Sequence, residues 1–200
     1  MIRPRVRGGQ LPCFDALCSA MNTPAHMALG LALLGRKANR REWAFILCGA
    51  VLPDLFLYIR HLGGSTGEIL VPLFNGVPLY GLSLLVGLGF GMRWLTLLSG
   101  SALLHIFTDL PLHAEDARRH FFPLSDWTYR SPVSFWNVNH HGKVFGILEG
   151  ALFLLCWVLI WRRLETQWGR LLMVGFLGIY LLTFTHFWGH AFANAHWAPW

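Results

Sequence analysis

Charge is scarce in this chain: 13% of its 200 residues are Asp, Glu, Lys or Arg, against 54% hydrophobic, and the mean hydropathy is +0.46. An ordinary soluble domain carries about a quarter charged residues, so the shortage excludes that class and points to an integral membrane protein. Cysteine is also sparse, with four residues at 13, 18, 48 and 156. Cys13-x4-Cys18 has no second pair with which to close a zinc site. Also missing are the H-E-x-x-H of zinc proteases, the G-x-S-x-G nucleophile elbow, a Walker loop and the Rossmann glycines. No internal repeat or low-complexity tract occurs. The N-terminus lacks an uninterrupted apolar run, because Pro12 and Asp15 break it, and it makes a poor signal peptide. Residues 1–20 therefore read as an extension upstream of a start at Met21, and 21–200 as a single membrane-embedded helical domain.

What charge there is falls in short clusters. The formal net charge of +6 is concentrated in groups such as Arg36-Lys37 with Arg40-Arg41, and Arg162-Arg163, between apolar runs. That is the pattern of cytoplasmic loops in a bilayer protein rather than of a nucleic-acid surface, and membrane lipids are the expected surroundings. Ten tryptophans and fifteen phenylalanines agree, since aromatic side chains gather at membrane interfaces.

The apolar segments predict an all-α bundle of five to six transmembrane or membrane-buried helices. They run about 24–35, 43–60, 78–92, 94–110, 144–161 and 171–190, with one long polar loop at 112–142. Thr23 suits a helix N-cap and Pro24 the first helical position. The first segment is short for a full span and reads as re-entrant or buried among other helices. Gly, Ser and Thr at 61–68 read as a loop, and Pro111 ends or kinks the fourth segment. Placing 36–41, Arg93 and 162–170 on the cytoplasmic side turns the 112–142 loop outward.

On that arrangement the ionisable groups share a depth. At ~1.5 Å per residue, His26, Asp54 and His105 lie roughly 15–17 Å from the inner face, and Asp109, Glu149 and His186 roughly 21–24 Å. Each costs about 2.5–3.5 kcal/mol at a helix centre if left facing lipid. Gathered in one cavity they can pair or coordinate a cation. His105 and Asp109 stand at i and i+4, on one helical face, and imidazole with carboxylate suits Zn²⁺ or a similar divalent ion. The same pair could equally be a hydrogen bond that packs helices. Pro53-Asp54 adds a carboxylate where a proline opens the helix. His26, His113 and one of His140-His141 are further ligand candidates. Asp116 with His120, and His186 with His190, repeat the i,i+4 spacing. Arg118 and Arg119 could hold an anionic substrate such as a phosphate.

Thr23-x2-His26, Pro53-Asp54, His105-x3-Asp109 and Phe122-Pro123-Leu124-Ser125-Asp126 resemble the bacterial inner-membrane family of metal-dependent hydrolases. More distantly, Pro-Asp and the stretch from His105 to His113 are similar to zinc-dependent phospholipase C and the S1/P1-type nucleases, helical enzymes that cleave phosphoesters on a zinc cluster. The resemblance covers most of Met21 to Glu149. It implies His26, Asp54, His105 and Asp109 as metal ligands, with His113 a further one; the wider candidate set adds His141. Glu149 follows His141 by eight residues, farther than the soluble enzymes space their late acidic residue, and His61 is a weak stand-in for a missing histidine. The expected function is hydrolysis of a phosphoester or lipid-like substrate in the bacterial inner membrane, through a divalent metal of the zinc type facing the outer half. Asp54 or Asp109 would take the proton and Arg118 and Arg119 the substrate. The alternatives are a metal-binding or transport protein without hydrolysis, and a structural membrane protein whose His–Asp pairs lock helices.

Overall fold

The computed structural model describes residues 22–63, 65–114, 117–135 and 137–193, without the side chains of 57–68 and 190. The Met21 start, Cys13, Cys18, Asp116, Trp197 and Trp200 lie outside them, as do the side chains of His61 and His190. The described residues are all-helical, with no strand. The helices are α1 Thr23–Leu34, α2 Arg40–Gly63, α3 Ser65–Phe74, α4 Val77–Gly89, α5 Arg93–Asp109, α6 Gly142–Trp161 and α7 Gln167–Ala193. Short 3₁₀ turns follow α1 and α5 and precede α6.

Among the described residues, three helical segments are long and apolar enough to cross a membrane: Arg93–Leu112, Gly142–Trp161 and Gln167–Ala193. Their outward faces carry large apolar side chains, including Leu155, Leu172 and Leu182. Helix α1, at 12 residues, is about 18 Å long, too short for a hydrocarbon core of roughly 30 Å. It is instead enclosed by α2, α5, α6 and α7. Ala25, Ala28, Leu29, Leu31 and Ala32 are buried there against Ile46, Phe153, Cys156, Ile160 and Tyr180. Arg163, from beyond α6, closes its C-terminus by donating from Nη1 to the carbonyls of Ala32 at 3.0 Å and Leu31 at 3.4 Å.

Helix starts follow local chemistry in one case and tertiary demand in another. Asn39 caps α2, its Oδ1 accepting from the amides of Arg41 and Glu42, while Glu42 Oε2 accepts from the Asn39 amide at 2.7 Å. That is a reciprocal capping box. Arg93, at the start of α5, reaches Glu42 and the Lys37 carbonyl and ties the two basic turns together. The expected Thr23 cap is different: Asn22 holds the cap position without a side-chain cap bond. Thr23 Oγ1 donates 3.0 Å to Asp54 Oδ2, so the hydroxyl is spent on a tertiary contact.

Two further expectations change. The stretch at 61–68 is helical on both sides of residue 64, as the end of α2 and the start of α3. Glycine and serine lower helix propensity by no more than about 1 kcal/mol each, and packing of α3 on α2 overrides that. The helix expected to reach 92 stops at Gly89, because the chain reverses through Gly91 at φ 66, a left-handed position that favours glycine.

Helices α2 and α5 meet at backbone distance. A Cβ on Gly49 would lie 2.1 Å from the Leu98 carbonyl oxygen. Ser101 Oγ donates to the Ile46 carbonyl at 2.7 Å. This close crossing brings the Pro53-Asp54 region of α2 against His105 and Asp109 of α5. After α5 the polar connection folds back over its end: Ser131 donates from its amide to the His113 carbonyl and from Oγ to the Pro111 carbonyl. The Val77 amide binds the His120 carbonyl at 2.7 Å.

Candidate metal centre

Four of the ionisable residues singled out by sequence converge from three helices. His26 comes from α1, Asp54 from α2, and His105 and Asp109 from α5; all are buried. His26 Nε2 is 3.6 Å from Asp109 Oδ1, His105 Nε2 is 3.5 Å from Asp54 Oδ1, and His105 Nε2 is 4.0 Å from Asp109 Oδ2. The two imidazoles stack with centroids 3.7 Å apart and planes 20° apart. One donor atom from each of His26, His105 and Asp109 falls within 4.8 Å of the others.

Those separations decide what the groups are arranged for. Nitrogen–oxygen hydrogen bonds run about 2.7–3.2 Å. Ligands on a tetrahedral ion at about 2.0–2.1 Å stand roughly 3.3 Å from one another. The His26, His105 and Asp54 contacts match the second spacing. His26 Nε2, His105 Nε2 and Asp54 Oδ1 are buried without a hydrogen-bond partner, a state that costs about 1–3 kcal/mol per group and that an ion would relieve.

The far side of each ring sets the tautomer. His105 Nδ1 donates to the Ala50 carbonyl at 2.7 Å. His26 Nδ1 lies 3.2 Å from Thr108 Oγ1, whose own proton is directed to the Leu104 or His105 carbonyl, at 2.8 and 2.9 Å. Both imidazoles therefore carry a proton on Nδ1 and turn Nε2 inward, the orientation of a metal-binding histidine with an outer-shell oxygen partner. Two carbonyls of α2 serve as anchors here: Asn75 Nδ2 donates to that of Pro53 at 3.1 Å, and His105 Nδ1 to that of Ala50.

His113 stands apart from the ligand spacing. Its Nε2 is 2.8 Å from Asp109 Oδ2, a hydrogen bond that orients the carboxylate. His120, from the polar connection after α5, is buried and donates from Nδ1 to the Asn75 carbonyl at 3.0 Å. Burial pushes its imidazole below the ordinary value, with His113 and Arg118 acting in the same direction. Arg118 Nη1 is 3.7 Å from Asp54 Oδ1, with its side chain nearly covered. Arg119 instead pairs with Asp126 at 3.0 Å and lies over the Phe122 ring on the surface of the connection.

His141 is not brought to the cluster. It is exposed, in the left-handed region at φ 63, where it opens α6. His140 Nδ1 lies 3.4 Å from the Pro132 carbonyl. His186 is buried on α7, whose neighbour Phe187 stacks on Phe135. Glu149 is buried on α6 and accepts from Asn22 Nδ2 at 3.5 Å. Sequence reasoning missed Thr23, Asn75 and Thr108 as supports of the site. The signals were the threonines three residues before His26 and three after His105, one helical turn away in each case.

Comparison with protein-family models, with curated proteins and with solved structures finds no match.

Proposed function

We propose that the chain is a membrane-embedded, metal-dependent hydrolase of the bacterial inner membrane, acting on a phosphoester or lipid-like substrate in the outer half of the bilayer. The observation that carries this reading is the pair of buried Nε2 atoms of His26 and His105, which face the Asp109 and Asp54 carboxylates at 3.6 and 3.5 Å without a hydrogen-bond partner. A donor set of two imidazoles and carboxylate suits a divalent ion of the zinc type. Three apolar helices support membrane insertion, and the five to six spans of the sequence reading belong to this proposal.

His26, His105 and Asp109 would hold the ion. When bound it would acidify a water molecule and polarise a phosphoryl or acyl oxygen. Asp54 would take the proton; that Thr23 holds Oδ2 while Oδ1 makes no hydrogen bond supports this role. His113 fixes Asp109 through its 2.8 Å bond. Arg118 offers charge to an anionic headgroup at the edge of the cluster, and Arg119 lies farther out on the surface.

The test is elemental analysis of the purified protein, followed by assays with phosphomonoester, phosphodiester and phospholipid substrates. Stoichiometric zinc that falls to background in His105→Ala, together with turnover lost in Asp54→Asn, is the expected result. Absence of metal from the wild-type protein sinks the reading. Metal without turnover on any substrate leaves a binding or transport protein.

A further inference from the structure

Beside the His/Asp cluster, two buried polar atoms make no hydrogen bond. Arg118 Nη1 and His120 Nε2 are both inaccessible and both without a hydrogen-bond partner. They come from the same short segment of the polar connection. Arg118 approaches Asp54 at 3.7 Å, and the His120 ring lies 6.2 Å from that of His113, which is bonded to Asp109. They therefore border one edge of the candidate metal centre. His120 is 2% exposed, and leaving such a group unbonded is costly.

Their chemistry is complementary. Guanidinium is a permanent cation with donors only. In the imidazole, the bond from Nδ1–H to the Asn75 carbonyl leaves Nε2 as an acceptor. One ligand satisfies both when it offers an anionic oxygen next to an O–H. We infer that Arg118 and His120 form a substrate subsite for a phosphate monoester, with Arg118 on an anionic oxygen and His120 Nε2 accepting from the P–OH. A phosphodiester anion meets Arg118 but has no hydroxyl for His120. This rests on the hydrolase reading above and narrows its substrate class.

The experiment is calorimetric titration of the full-length, zinc-supplied protein in detergent at pH 6, with inorganic phosphate and dimethyl phosphate as probes. Both are then chiefly monoanions, and only phosphate carries P–OH. Phosphate is expected to bind at least tenfold more tightly. Arg118→Gln should weaken both anions at least tenfold. His120→Leu should abolish the preference for phosphate, and His120→Gln, which keeps a donor for Asn75 and an acceptor, should restore part of it. Equal affinity of wild-type protein for the two probes overturns the inference, as does unchanged phosphate binding in Arg118→Gln. Loss of zinc from either variant also overturns it, because the residues then serve the ion. Wild-type protein without zinc defeats the hydrolase reading instead, while the two probes on that same sample still decide the subsite.

Discussion

Thr108 and His26 join α5 to α1 through a contact of 3.2 Å between Oγ1 and Nδ1. The hydroxyl proton is committed to a carbonyl of its own helix, so the oxygen accepts from the imidazole and directs Nε2 toward Asp109. Thr108→Val keeps the shape and removes the acceptor. Outer-shell changes of this kind weaken metal affinity about 10–100-fold, which competition with a chelator would measure. Unaltered affinity would mean that His26 does not bind the ion.

The α2–α5 crossing depends on Gly49. Because an added Cβ would meet the Leu98 carbonyl oxygen at 2.1 Å, Gly49→Ala must push the helices apart, at a cost of about 1–3 kcal/mol. A lower melting temperature in detergent is expected, with weaker zinc binding as Asp54 leaves His105. Gly178→Ala is the control, since nothing lies within 4 Å of its added Cβ; it should melt no lower than wild type.

Arg163 ends α1 by binding two of its last carbonyls. Hydrogen bonds to a charged group contribute about 1.5–3 kcal/mol. Arg163→Met keeps much of the aliphatic stem and loses the donors. Thermal melting should show that loss, and hydrogen exchange should rise in α1. Exchange that rises only in α6 would contradict the capping role.

The capping box predicts an acid limb. The Asn39 amide, with Arg93 beside it, holds the Glu42 carboxyl below its ordinary value of 4.5. A folded value below the unfolded one means that the contribution is complete above about pH 4.5 and disappears as pH falls through the folded value. Melting temperature against pH should therefore be flatter at the acid end in Glu42→Gln, and the wild-type limb should shrink in high salt. Identical acid limbs for the two proteins would refute it.

Much of the site was legible because helix geometry is local. His105 and Asp109 stand one turn apart in any helix, and a carboxylate among apolar residues, such as Asp54, is costly unless it meets polar partners. The short first helix read as re-entrant or buried among others, and it packs among α2, α5, α6 and α7. Thr23 was misread because an N-cap and a tertiary donor use the same hydroxyl, and only the position of Asp54 selects between them. His141 lies exposed at the start of α6, at a left-handed backbone turn that no spacing rule records.

The scarce ionisable groups are divided more finely in three dimensions. By itself the sequence determined the apolar helices, their approximate ends, and which polar residues stand among apolar ones, since these follow from periodicity and composition. Only the tertiary structure decided that His26 and His105 present Nε2 inward, that His113 bonds Asp109, and that Arg118 faces Asp54 while Arg119 faces solvent. Those outcomes depend on distances between helices far apart in the chain, which the Gly49 crossing and the fold of the polar connection set.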